Sequence, residues 1–355
     1  MSKFFSKKYA ALTPYTPGEQ PKDMQYIKLN TNESPFSPPQ SVLDAVRYEE
    51  GRLQLYSDPE SSALTEKVAE GWGVRKTQVL MTNGSDEALN FAFKAFCDNE
   101  HPIAFPDITY GFYPVFAQLN GIPYRTIPLK EDFSIDVQDY LGVGANIAIA
   151  NPNAPTGLAL SVEDIEKILQ ANPDHVVIID EAYVDFGGES CVPLVDKYDN
   201  LLVVQTFSKS RSLAGARLGL AIGNEKLIAD LNTVKYSTNP YNVNRMTAAA
   251  GFAALCETEW FENNRKVICE NREYTTEALR ALGFTVLNSK TNFLFAKSEK
   301  ISGKALYEKL KARGVLVRHF NGERIKEFVR ITIGAKEQME IFLAKTQEII
   351  QEEES

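Results

Sequence analysis

Between Gln78 and Gly223, short runs of apolar and β-branched residues alternate with helical patterns and turn signals. The runs fall at 79–82, 102–105, 124–128, 146–150, 176–179, 201–206 and 218–222. Several are apolar throughout instead of alternating with polar residues, so those strands must be covered on both faces. The pattern predicts an α/β fold: a mainly parallel seven-stranded sheet flanked by helices. Helices are expected at 86–97 and 161–170. The second opens on Ser161-Val162-Glu163-Asp164, a capping serine with an acid three positions on. After Glu225 the pattern is mostly helical through Leu282 and then becomes α+β, with strands expected at 284–287, 292–296, 315–318 and 328–333 and helices at 303–313 and 336–352. The expected division is a large domain of residues 30–245 and a smaller α+β domain of 1–29 with 246–355.

In a parallel sheet, ligands gather at the carboxyl ends of the strands. Three neighbouring ends are chemically loaded here. One runs into Asn151-Pro152-Asn153, the next into Asp180-Glu181-Ala182-Tyr183, and the third into Thr206-Phe207-Ser208-Lys209 with Arg217 eight residues beyond the lysine. Singly each has an ordinary explanation: an Asn-Pro turn, a loop-capping acid, a solvated lysine. Asp180, however, follows four buried-type residues and needs a polar or charged partner. Together the ends offer an amide, a carboxylate with a phenol, and an amine with a guanidinium. That set can hold a pyridine aldehyde as a Schiff base, with an acid for the ring nitrogen and a cation for a phosphate. A further segment, Thr82-Asn83-Gly84-Ser85-Asp86-Glu87, reads as strand, glycine turn and helix start, where free N–H groups favour an anion and Gly84 allows close approach.

Composition narrows the alternatives. The chain has 355 residues, 44% of them hydrophobic, and a formal charge of −9 with both signs mixed throughout, which argues against a nucleic-acid surface. Cys97, Cys191, Cys256 and Cys269 are widely spaced, and His101, His175 and His319 are scattered, so no metal site or disulfide framework is indicated. Residues 1–12 carry lysines but no sustained apolar core, and no stretch is long and apolar enough to span a bilayer. The expectation is a cytoplasmic protein without membrane contact.

With these motifs in view, the chain resembles the fold-type I pyridoxal-phosphate aminotransferases, and among them the branch that acts on histidinol phosphate. The likeness runs from Leu12-Thr13-Pro14-Tyr15-Thr16-Pro17-Gly18 through Leu29-Asn30-Thr31-Asn32-Glu33-Ser34-Pro35 to Arg330-Ile331-Thr332-Ile333-Gly334. It implies pyridoxal 5'-phosphate as cofactor, with Lys209 as the Schiff-base lysine and Asp180 at the ring nitrogen. Asn153 and Tyr183 would serve the phenolic oxygen, and Tyr110 would stack on the ring. Gly84, Ser85, Asp86, Ser208 and Arg217 would form the phosphate cradle. Tyr110 stands in Ile-Thr-Tyr where the family usually has Pro-Thr-Tyr. The resemblance further implies that Tyr56 reaches the cofactor of a neighbouring subunit, making the protein a homodimer. It places Tyr15, Asn32, Arg318 and Arg330 in the substrate pocket. The implied reaction passes an amino group between histidinol phosphate and 2-oxoglutarate, with no metal. An aromatic amino-acid aminotransferase or a threonine-phosphate decarboxylase on the same motifs is the alternative, and a cofactor-binding regulatory module without catalysis is the remote one.

Overall fold

The computed structural model describes residues 2–354. Ahead of the main sheet come β1 (Ile27–Lys28), α1 (Gln40–Glu50) and α2 (Ser62–Trp72). The sheet region runs β2 (Val79–Thr82), α3 (Ser85–Phe96), β3 (Ile103–Pro106), α4 (Tyr113–Asn120), β4 (Tyr124–Ile127), β5 (Asn146–Ala150), α5 (Val162–Ala171), β6 (Val177–Asp180), β7 (Leu201–Thr206) and β8 (Gly219–Gly223). Then follow α6 (Glu225–Thr238), α7 (Arg245–Cys256) and α8 (Thr258–Ala281). The chain closes with β9 (Phe284–Val286), β10 (Phe293–Ser298), α9 (Gly303–Ala312), β11 (Val315–Leu316), β12 (Arg318–His319), β13 (Phe328–Thr332) and α10 (Lys336–Glu353).

The seven-stranded sheet has the order β2-β8-β7-β6-β5-β3-β4, with β8 antiparallel to both neighbours and the other pairs parallel. Side chains alternate across it. Ile147, Ile149, Val177, Ile179, Leu201 and Val203 face one core, shared with Leu64 and Val68 of α2 and Ile165 of α5. Ala148, Ile178, Leu202 and Val204 face the other, shared with Leu89 and Phe93 of α3 and Phe116 of α4. Burying each such side chain contributes roughly 1.5–3 kcal/mol, which is why uninterrupted apolar runs read as central strands. In α3, Asp86 and Glu87 fill the first turn and suit its dipole, while Ala88, Leu89, Phe91, Ala92 and Phe93 form the buried stripe. Ser161 caps α5 by accepting from the Asp164 N–H at 3.1 Å.

The core of the four-stranded sheet gathers β9, β10, β13, α9 and α10 with Ile268 and Leu279 of α8. Leu29 belongs to it as well, because the Leu29 N–H donates to the Leu316 carbonyl and its own carbonyl accepts from Thr332. β1, a short strand that the sequence pattern does not predict, pairs in parallel with β11. The expected strand at 315–318 is divided: β11 pairs with β1, whereas β12 pairs antiparallel with β13. Val317, 1% exposed, marks the change of partner. Val243 and, from α7, Ala250 and Ala254 pack into the core of the large sheet. We therefore propose that the small domain begins within α8. Among the described residues, no helix is long and apolar enough to cross a membrane.

Candidate active site

The carboxyl ends of β2, β3, β5, β6 and β7 open on one edge of the sheet, and β8 begins there. The ladder continues past the strand ends, with Asn151 donating to the Asp180 carbonyl and Glu181 to that of Val204. These bonds fix the spacing between the loops that carry the predicted residues. Two cavities meet at this edge, and Lys209 lines both, together with Thr31, Tyr110, Ala154 and Tyr183. The Lys209 amine donates to the Thr31 carbonyl at 3.4 Å and lies 5.7 Å from the centre of the Tyr183 ring.

The smaller cavity, about 330 Å³, is lined by Ser85, Asp86, Tyr110, Asp180, Tyr183, Ser208 and Arg217 among others. Asp180 is 4% exposed, and its carboxylate accepts from the Tyr113 hydroxyl at 3.1 Å and the Ala182 N–H at 3.2 Å. Burial pushes this carboxyl up to about 7, against the pull of those two hydrogen bonds. Asp86 accepts from Tyr110 at 2.6 Å and from Arg217 at 3.1 Å, so its charge is neutralised within the cavity wall. At the start of α3 the Asn83 N–H is taken by the Glu87 carboxylate and that of Gly84 by the Thr82 carbonyl, which leaves those of Ser85 and Asp86 to an anion. Gly84 (φ +76°) brings this turn against Arg217, where a Cβ would lie 2.6 Å from the guanidinium. At Gly219 a Cβ would stand 2.3 Å from the Ser85 nitrogen, so the two backbones cross only because this residue has no side chain. Arg217 itself has φ 55°, a left-handed backbone that turns its side chain back over the cavity.

Asn153 lies behind the wall. Its amide donates to the Ile108 carbonyl and Thr156 and accepts from Thr109 at 2.8 Å, while Ala154 and Pro155 line the cavity. Tyr183 accepts from the Asn32 amide at 2.9 Å. Asn32 is held in a left-handed conformation by Thr332, which receives the Asn32 N–H and donates to its side chain.

The larger cavity, about 680 Å³, is shared by the N-terminal segment, the loop after β3 and the small domain. Tyr15 and Asn32 line it, with Arg318, Arg324 and Arg330 joining Lys209 as cations. Arg318 and Arg330 are direct cross-strand partners and so present their side chains on one face. Neither is neutralised by a carboxylate: Arg318 donates to the Thr16 and Pro17 carbonyls, and Arg330 to that of Asn30 at 3.0 Å. The buried Arg330 Nε has no hydrogen-bond partner. Arg324 instead pairs with Asp107 at 3.2 Å.

Tyr56 is not brought to this site. It is 79% exposed and stacks on Tyr241 at 4.4 Å. Conversely, Tyr113, Thr31 and Arg324 touch the site although sequence reasoning passed over them. Tyr113 opens α4, and only the path of that helix directs it at Asp180. Nothing in Gly322-Glu323-Arg324 marks its arginine.

The sequence pattern of the aminotransferase class I and II family matches residues 24–345, and the chain belongs to that family. Histidinol-phosphate aminotransferase of Brachyspira hyodysenteriae is 49% identical over 99% of both chains, and that of Clostridium beijerinckii 46% identical over 99% of this chain and 98% of its own. Among solved structures, histidinol-phosphate aminotransferase from Sinorhizobium meliloti in complex with pyridoxal-5'-phosphate superposes with a TM-score of 0.89 over 99% of each chain at 22% identity. The enzyme from Clostridium acetobutylicum gives 0.85 over 92% of this chain and 99% of its own at 24% identity, which supports the same fold.

Proposed function

We propose that this chain is a pyridoxal-phosphate aminotransferase that reversibly transfers an amino group between L-histidinol phosphate and 2-oxoglutarate, as the names of its relatives at 46–49% identity suggest. The observation that carries the reading is the position of Lys209 on the boundary between the two cavities. One cavity is equipped for a cofactor with a basic ring nitrogen and a phosphate, the other for an anionic substrate.

The residues present fit the cofactor. Asp180 is a buried acid without a cationic side chain hydrogen-bonded to it, and the Gly84-Ser85 turn, Ser208 and Arg217, whose guanidinium rests on Asp86, form a cradle of hydrogen-bond donors. Pyridoxal phosphate supplies an electron-accepting ring that stabilises negative charge at the substrate's Cα. The chain's own contributions follow from the geometry. Asp180, ionised, keeps a proton on the ring nitrogen. Tyr110 and Ala182 line the cavity where they would wall the ring, and Tyr183, beside Lys209, would serve an oxygen next to the reacting carbon. Asn153 acts from behind through its hold on Ile108 and Thr109. Lys209 would take up and return the substrate's Cα proton, because it is the residue lining both cavities that bears an amine.

Arg330 and Arg318 receive the anionic end of the substrate. The unpartnered Arg330 Nε supports this role, since a phosphate or carboxylate oxygen would satisfy it. A pair of arginines without carboxylate partners suits both the phosphate ester and the dicarboxylate of the two half-reactions. The aromatic lining of Tyr15, Tyr110 and Phe320 also favours the second reading, an aromatic amino-acid aminotransferase.

The same proposal makes the protein a cytoplasmic homodimer in which Tyr56 serves the neighbouring site. Tyr56 is exposed, as are Tyr48, Leu53 and Leu55 of the same segment, which supports an interface there. Borohydride reduction and peptide mapping should mark Lys209, and a cofactor adduct on another lysine would sink the mechanism. Values of kcat/KM for histidinol phosphate against phenylalanine, tyrosine and threonine phosphate decide the substrate; comparable values mean a broad-range enzyme.

A further inference from the structure

Asp180 ends β6, and the alternation of that strand turns it toward the face covered by α3 and α4. There it meets Tyr113, which is 0% exposed at the first position of α4 and packs edge-on against Tyr110 at 5.8 Å. The Tyr113 hydroxyl donates to Asp180 Oδ2 and the Ala182 N–H to Oδ1, one donor per oxygen. The other charged or titratable groups facing this carboxylate are Asp86 from α3, Lys209 from the loop after β7, and Tyr110. Glu181, next in sequence, is turned away onto Ser190, Cys191 and Gln205.

We propose that Tyr113 is a positioning residue that keeps Asp180 ionised and holds its carboxylate edge toward the cofactor cavity, coupling the residue at the ring nitrogen to the Tyr110 wall. This rests on the role given to Asp180 above. A buried phenol can do this only as a donor, and desolvation, reinforced by Asp180 itself, keeps Tyr113 protonated well above the usual tyrosine range. A hydrogen bond donated to the ionised form lowers a carboxyl pKa, so removing the hydroxyl must raise that of Asp180.

The test uses the full-length, cofactor-free protein. Its aspartate carboxyls are followed by carbon-13 NMR against pH, with Asp180→Asn assigning the resonance. Tyr113→Phe should raise the Asp180 midpoint by about one pH unit. It should weaken pyridoxal-phosphate binding about fivefold near pH 7, the difference approaching about tenfold at lower pH and shrinking as pH rises and both proteins ionise. If Tyr113→Phe does not fold, 3-fluorotyrosine at position 113, a stronger donor of nearly the same shape, should move the midpoint downward. An unmoved midpoint in the folded variant overturns the inference, even with weaker cofactor binding, because packing alone would then explain the loss. Should Asp180→Asn bind the cofactor as tightly as the parent, the role of Asp180 fails first and the inference with it.

Discussion

The two cavities that meet at Lys209 are built on different principles. The smaller is lined mainly from the strand ends of one sheet, and its charged groups are already arranged around one another: Arg217 on Asp86, Tyr110 on Asp86, Tyr113 on Asp180. The larger is assembled from segments far apart in sequence, and its two central arginines rest on backbone carbonyls of residues 16, 17 and 30. A rigid sheet can preorganise a site for one constant ligand. A site that must accept two different anions in turn does better with cations that carry no competing carboxylate.

The sharpest way to break this comparison is at the shared residue. Lys209→Ala should lower amino transfer by at least about 10³-fold in single-turnover measurements, because the proton carrier is lost, while leaving noncovalent cofactor binding measurable. Activity within tenfold of the parent would remove Lys209 from the chemistry.

Next come the two arginine sites. Arg330→Ala should reduce kcat/KM roughly 10²-fold for both the phosphate ester and glutamate, with cofactor affinity unchanged. Arg217→Ala should do the reverse, weakening the cofactor roughly tenfold or more and sparing substrate KM at saturating cofactor. Equal effects of both variants on cofactor affinity would abolish the division.

A smaller effect is expected in the pH dependence of stability. Burial raises the carboxyls of Asp180 and Glu181 to about 7, so each binds more protons folded than unfolded between about pH 4 and 7. Stability of the cofactor-free protein should therefore fall as pH rises through that window. Calorimetry should find a shallower decline in Asp180→Asn, and an unchanged slope would mean that Asp180 is not the group responsible. The smallest change is assigned to Arg324→Ala. Its pair with Asp107 is partly exposed, and such pairs are worth about 0–1 kcal/mol, so KM should move no more than about fivefold.

Much of the smaller cavity was legible beforehand because its parts are contiguous motifs at the ends of strands that periodicity identifies. The runs at 146–150 and 201–206 are β5 and β7 to the residue, and the start of α5 follows Ser161 as its capping pattern predicts. The larger cavity was legible only through resemblance. Arg318 and Arg330 face each other because β12 pairs with β13, a register that no local pattern contains, and the break at Val317 escaped notice because β-branched residues suit either partner. Asn153 shows a different limit: its loop was found, but its amide is engaged behind the wall.

The sequence alone determined the order of elements, the sheet of buried strands, the strand end at Asp180, the loops that carry Lys209 and Arg217, and the glycine at 84, since all of these follow from short-range periodicity and turn chemistry. Tertiary structure decided what those loops meet. It set Tyr113 on Asp180, Thr332 on Asn32 and Arg318 beside Arg330, contacts spanning 67, 300 and 12 residues. The physical reason is that such contacts arise from strand order, register and the packing of two cores, which the local sequence constrains only through the whole fold.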